Sequence, residues 1–81
     1  MTIEELKSNG NIITQSQIKE HFYGFDDNME FQLLNGQIWK QIEFNFSPHF
    51  ALMPQVTIYI LNNMYFININ GRNEFVKVKC I

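Results

Sequence analysis

The sequence has little cysteine, little charge and no long uninterrupted apolar run. One cysteine, Cys80, stands in a chain of 81 residues, so no internal disulfide framework is possible. The missing apolar run disfavours a membrane span. Six basic against eight acidic residues give a net charge of −2, which disfavours nucleic acid as a partner. Two acids follow the N-terminal Met-Thr-Ile where a secretion signal would carry positive charge, so we expect a cytoplasmic protein.

The chain has the length of a single domain, and 46% of its residues are hydrophobic, a larger share than disordered chains have. Residues 1–10 are expected to form a short helix or arm, because Thr2-Ile-Glu-Glu5 fits a capping box and Asn9-Gly10 supplies a stop. Residues 12–80 alternate in short runs separated by turn residues. This pattern predicts an all-β fold, which we expect to be a small SH3-like antiparallel barrel of five to six short strands.

Two asparagine-containing turns define the predicted hairpins. Asn35-Gly36 predicts a two-residue turn in which the numbers of opposed residues sum to 71, so that Phe31 faces Lys40. Asn62-Asn63 predicts a second hairpin in which the numbers of opposed residues sum to 125. In the last strand, Val76 and Val78 should point inward, and two lysines suggest an exposed sheet edge. The lysines are Lys77 and Lys79.

No Asp, Glu, Lys or Arg occurs in residues 44–71. A sheet face that meets water normally carries charge, so either both faces are covered or one face binds something. We expect a self-association surface on the outer face of the second hairpin, giving a homodimer or other homo-oligomer, or contact with an unidentified protein partner. The alternative is that the N-terminal helix and the first strand cover this face. The proposed contact residues are Tyr59, Leu61, Met64 and Phe66.

A tryptophan among amides is the second candidate site. The predicted hairpin register places Trp39 beside Gln32 and Gln41, an arrangement suited to stacking a small ligand or a peptide. The alternative is that curvature or a bulge turns Trp39 into a small core beneath the N-terminal segment.

No residue pattern predicts catalysis or a resident metal or cofactor. The acids around residues 26–30 are ordinary turn composition rather than a calcium loop, and an enzyme using Asp26 and Glu30 is only a minor alternative. His21, His49 and Cys80 lack the short spacing of a zinc site. Cys80 continues the inward parity of the last strand, so it should be a small buried residue or a frayed end. Every glycine stands at a turn or helix stop, so no phosphate-binding loop is present.

Three segments resemble a group of functionally uncharacterised small bacterial proteins with an Asn-Gly-Gln-x-Trp-x-Gln signature. The segments are Phe22-x-Gly-Phe-Asp26, Phe31-x-Leu-x-Asn-Gly-Gln-Ile-Trp-x-Gln41 and Pro54-x-Val-x-Ile-Tyr59. The resemblance implies an SH3-like β fold and a mobile genetic context such as an integron gene cassette, and it implies no reaction. Relatives tend to carry alternating tyrosines before the proline, whereas this chain has Phe44, Phe46, Phe50 and Leu52.

Overall fold

The computed structural model describes all residues from 1 to 81 and contains one helix and eight strands. The helix is α1 (Ile3–Asn9), and its seven residues are too few to cross a membrane. The strands are β1 (Asn11–Gln17), β2 (His21–Phe25), β3 (Glu30–Gln32), β4 (Ile38–Gln41), β5 (Ser47–Leu52), β6 (Gln55–Leu61), β7 (Met64–Ile69) and β8 (Phe75–Cys80).

Six strands form one antiparallel sheet in the order β1-β6-β7-β8-β4-β3, and β2 and β5 form a separate two-stranded ribbon. The prediction of an all-β chain with a short N-terminal helix is confirmed. There are eight strands rather than five or six, and the sheet does not close into a barrel. Its two edge strands approach each other only near the bridge between Ile18 and Leu33.

The helix begins and ends where its capping residues predict. The Thr2 hydroxyl accepts a hydrogen bond from the Glu5 backbone N–H at 3.2 Å, and the Glu5 carboxylate accepts one from the Thr2 N–H at 3.1 Å. The Gly10 N–H donates to the Leu6 carbonyl at 2.8 Å. A helix this short is marginal by itself, so the burial of Ile3 and Leu6 against the sheet must stabilise it.

The second hairpin has the predicted register. Asn62 and Asn63 both have positive φ (53° and 61°), as a two-residue hairpin turn requires, and β6 pairs with β7 from Val56–Ile69 to Leu61–Met64. Val76 and Val78 of β8 are buried as predicted. However, β8 lies between β7 and β4, so the lysine-bearing strand is central and not an edge.

The first hairpin differs from the prediction by one residue. Its loop is Leu34-Asn35-Gly36: only Gly36 has positive φ (91°), and the Gly36 N–H donates to the Leu33 carbonyl at 3.0 Å. Phe31 therefore pairs with Trp39 and Glu30 pairs with Lys40, so the numbers of paired residues sum to 70. A slip of one residue moves every side chain of a strand to the opposite face. The observed register buries two aromatic rings and places opposite charges across from each other.

Both faces of the six-stranded sheet are covered by other parts of the chain. The β2–β5 ribbon covers the inner face, where Phe22 and Phe25 join the main core. Helix α1 covers part of the outer face, where Ile3 and Leu6 pack with two aromatic side chains of β6 and β7. The main core consists of Ile18, Phe22, Phe25, Phe31, Leu33, Trp39, Val56, Ile58, Ile67, Ile69, Val76 and Val78.

Candidate functional site

The expected self-association surface is largely covered within the protomer. Tyr59 and Phe66 are buried beneath α1, which corrects their assignment as contact residues for a second copy. Leu61 is half-buried, and Met64 is 37% exposed. The alternative of coverage by the N-terminal helix therefore accounts for this face. The inference that the outer face of the second hairpin is apolar because it is covered was right, but the cover is the chain's own helix.

The expected ligand site around Trp39 does not form. Trp39 is 2% exposed, packs on Tyr65 with ring centroids 5.3 Å apart, and donates its indole N–H to the Gln37 side chain at 3.1 Å. Gln32 lies on the exposed face of the sheet, opposite in parity to Trp39. The predicted register grouped Gln32 with Trp39 and Gln41, and the observed register places Gln32 on the opposite face, whereas Trp39 and Gln41 are both buried on one face of β4.

Gln41, the third member of that group, is a buried structural amide. Its Nε2 donates to the backbone carbonyls of Asp26 at 2.5 Å and Glu43 at 2.8 Å, which joins the start of the β2–β3 connection to the end of β4. Its Oε1 is buried without a hydrogen-bond partner. At 1% exposure this side chain holds two loops together and presents nothing to a ligand.

The most exposed aromatic side chains lie instead on the β2–β5 ribbon and in the segment that leads into β5. From residue 44 to 52 the alternation is inverted: the apolar residues point outward, and the residues between them are half-buried. The outward residues are Phe44 (72% exposed), Phe46 (65%), Pro48, Phe50 (60%) and Leu52 (65%). A strand packed on a core normally has the opposite pattern, with its apolar residues inward.

Strand β2 adds two rings to this surface. Phe50 lies 5.5 Å from Tyr23 and 5.6 Å from His21, measured between ring centroids, and the His21 and Phe50 planes are within 28° of parallel. Tyr23 is 66% exposed. We call the exposed set His21, Tyr23, Phe44, Phe46, Pro48, Phe50 and Leu52 the aromatic face.

Gly24 holds the two strands of the ribbon together. It has φ of +103°, and a Cβ atom there would lie 2.2 Å from the Ser47 carbonyl oxygen and 2.6 Å from the His49 nitrogen. Only glycine permits this approach of the strands. The register of β2 against β5 shifts between Phe22 and Gly24, so the glycine occupies the irregular part of the ladder.

The aromatic face itself contains no Asp, Glu, Lys or Arg, and Glu20 and Glu30 lie at its edge beside His21. The one ion pair joins Arg72 to Glu74 at 2.8 Å, in the β7–β8 connection. The pKa of Glu74 is lowered, first by a hydrogen bond from its own backbone N–H and further by the Arg72 side chain. No three His, Cys, Asp or Glu side chains lie close enough together to hold a metal ion. Cys80 is exposed and unpaired, so of the two expectations for it the buried one is wrong.

The sequence predicted an exposed apolar surface on β6 and β7 within the charge gap, whereas the structure buries Tyr59 and Phe66 there and exposes the apolar side chains of β5. The sequence signal at the exposed surface is the run Phe44-x-Phe-x-Pro-x-Phe-x-Leu52, an apolar alternation with asparagine, serine, histidine and alanine between. Read as an ordinary strand, it predicts inward phenylalanines. Comparison with protein-family models, curated proteins and solved structures finds no match to this chain.

Proposed function

We propose that this protein is a non-enzymatic interaction module that self-associates through the aromatic face. The observation that carries the proposal is the inverted alternation of residues 44–52, which leaves Phe44, Phe46 and Phe50 more than half exposed. Tyr23 of β2 is a fourth aromatic side chain exposed to the same degree. Large contiguous apolar surface on a small domain usually marks an interface.

The size of the aromatic face suits a symmetric dimer. An aromatic side chain buries roughly 150–250 Å² when fully covered, so four that are more than half exposed offer about 500 Å². Leu52 and Pro48 bring the apolar area to about 600 Å² per protomer. A standard interface buries about 800 Å² per partner, so the face with a narrow polar rim is large enough for a dimer of modest affinity.

A second copy of the chain is the partner that this surface favours. The face contains no Asp, Glu, Lys or Arg, so two copies meet without repulsion and without burying unpaired charge. A two-fold dimer uses the same patch on both subunits, which a self-complementary apolar surface satisfies. Contact through side chains is favoured over addition of a strand at the β5 edge, because Pro48 lacks an N–H to donate.

The resemblance to small bacterial proteins with the Asn-Gly-Gln-x-Trp-x-Gln signature supports this class of function, because it implies no reaction. It also supports an origin in a mobile gene cassette. An exposed unpaired Cys80 is consistent with a reducing compartment, and we propose the cytoplasm.

Light scattering behind gel filtration over a dilution series tests the proposal. The wild-type protein should have twice the protomer mass at high concentration and dissociate on dilution. Phe50→Ser should weaken association by tenfold or more, because an interface aromatic commonly contributes about 2 kcal/mol or more.

Two matched variants locate the surface. Leu34→Ser changes an apolar side chain of comparable exposure in the first hairpin loop, away from the aromatic face, and should leave association unchanged. Met64→Ser tests the surface expected from the sequence and should also leave it unchanged. A wild-type protein that stays monomeric at millimolar concentration, or a dimer lost through Met64→Ser and not through Phe50→Ser, would refute the proposal.

A further inference from the structure

An imidazole lies within the aromatic face. The His21 ring stacks on Phe50 at 5.6 Å and lies 6.1 Å from Tyr23, and its cross-strand neighbour is Leu52. A dimer that covers Phe50 must therefore also cover His21. Histidine is the residue whose side chain ordinarily changes charge between pH 5 and 8.

The surroundings of His21 contain few other charges. From strand β5, Phe50 stacks on the imidazole and Leu52 is the cross-strand neighbour, and on β2 the Tyr23 ring lies 6.1 Å away between centroids. On the side facing β3, a shallow hollow of about 140 Å³ is lined by His21 with Ile18, Glu20, Glu30 and Gln32. Neither glutamate lies within ion-pair distance of the imidazole, because the only ion pair in the chain is Arg72–Glu74.

We propose that acid dissociates the dimer by protonating His21. This inference rests on the proposed function. When two aromatic faces meet, each imidazole is transferred from water to an uncharged aromatic surface, which disfavours its cationic form. The dimer then binds fewer protons than two free protomers, so lowering the pH shifts the equilibrium toward the protomers. Glu20 and Glu30 line the hollow beside His21, at the edge of the aromatic face.

The expected size follows from the two copies of His21 in a dimer. Because the charged form of both copies has to give way when the faces meet, the dimer dissociation constant should rise by about tenfold or more between about pH 8 and about pH 5.5.

The chain supplies its own matched control, because it contains two histidines. His49 is half-buried in β5 and stacks on none of the three rings of the cluster. Sedimentation equilibrium at both pH values should show the full response for the wild-type protein and for His49→Gln. His21→Gln should have nearly the same dissociation constant at both. Near-ultraviolet circular dichroism should show the wild-type fold intact at the lower pH.

The outcomes separate the two proposals. Three results would overturn the role of His21 while leaving the dimer in place. The wild-type dimer could have equal affinity at both pH values, the pH response could persist in His21→Gln, or dissociation could be accompanied by loss of the dichroism signal. A wild-type protein that is monomeric at about pH 8 would overturn self-association itself, and this inference with it.

Discussion

The six-stranded sheet and the two-stranded ribbon use apolar residues in opposite ways. In β6 and β7, residues of both parities are buried, because the ribbon covers one face and α1 covers the other. In the ribbon, β2 buries Phe22 and Phe25, but β5 directs Phe50 and Leu52 into solvent. Both regions are poor in charged residues. An uncharged strand is therefore either covered by other parts of the chain or left exposed, and only the arrangement of the layers decides which.

The comparison can be tested by substitutions whose effects should decrease from the core of the sheet to the outer side of the ribbon. The largest expected effect is at Trp39. Trp39→Ala removes a fully buried ring and its packing on Tyr65, so we expect the free energy of unfolding to fall by about 3–5 kcal/mol. Urea denaturation measures it. A loss below 1 kcal/mol would mean that the ring is exposed and that the first hairpin has the other register.

The attachment of the ribbon depends on Gly24. Gly24→Ala should lower the free energy of unfolding by about 2 kcal/mol or more, because it combines a positive φ with a Cβ that clashes with the Ser47 carbonyl. Gly36→Ala is the matched control: its φ is also positive, but nothing lies within 4 Å of the added atom. It should cost only about 1 kcal/mol. Equal losses for the two variants would show that β2 and β5 do not approach as closely as described.

The cover of the outer face depends on the helix cap. Thr2→Ala removes the hydroxyl that accepts from the Glu5 N–H and should lower the free energy of unfolding by about 1 kcal/mol. Thr2→Ser keeps the acceptor and should restore most of it. Thermal unfolding followed by circular dichroism compares the two, and identical melting curves for alanine and serine would argue against the cap.

The smallest effect is expected on the outer side of the ribbon. Phe50→Ser should change the free energy of unfolding of the protomer by no more than about 0.5 kcal/mol, because the ring is mostly in solvent. Urea denaturation at a concentration where the wild-type protein is monomeric measures this. A loss like that of Trp39→Ala would place Phe50 in the core and remove the contrast between the two regions.

Local signals predicted the parts of the fold that neighbouring residues decide. The capping residues defined α1, and Asn62-Asn63 set the register of β6 and β7, because two asparagines tolerate the positive φ of a tight turn. The same reasoning failed at Asn35-Gly36. There the chain forms a three-residue loop because the resulting register buries Trp39 with Phe31. This gain in burial does not depend on the turn residues themselves.

The candidate site was less predictable than the fold. The charge gap was visible, and the apolar outer face of β6 and β7 was identified correctly. Nothing local showed that α1 would lie over Tyr59 and Phe66, or that β5 would pair only with β2 and direct Phe50 and Leu52 outward. Period-two alternation shows which residues share a face, and it does not show which face meets the core.

The sequence by itself determined the β-rich composition, the capped helix, one hairpin register and the absence of charge from residues 44–71. The tertiary structure alone decided the strand order, the second register and which apolar surface stays open. The physical reason is that turns and caps are made by hydrogen bonds between near neighbours. The covering of a sheet face, in contrast, depends on the total apolar area that distant segments can bury together.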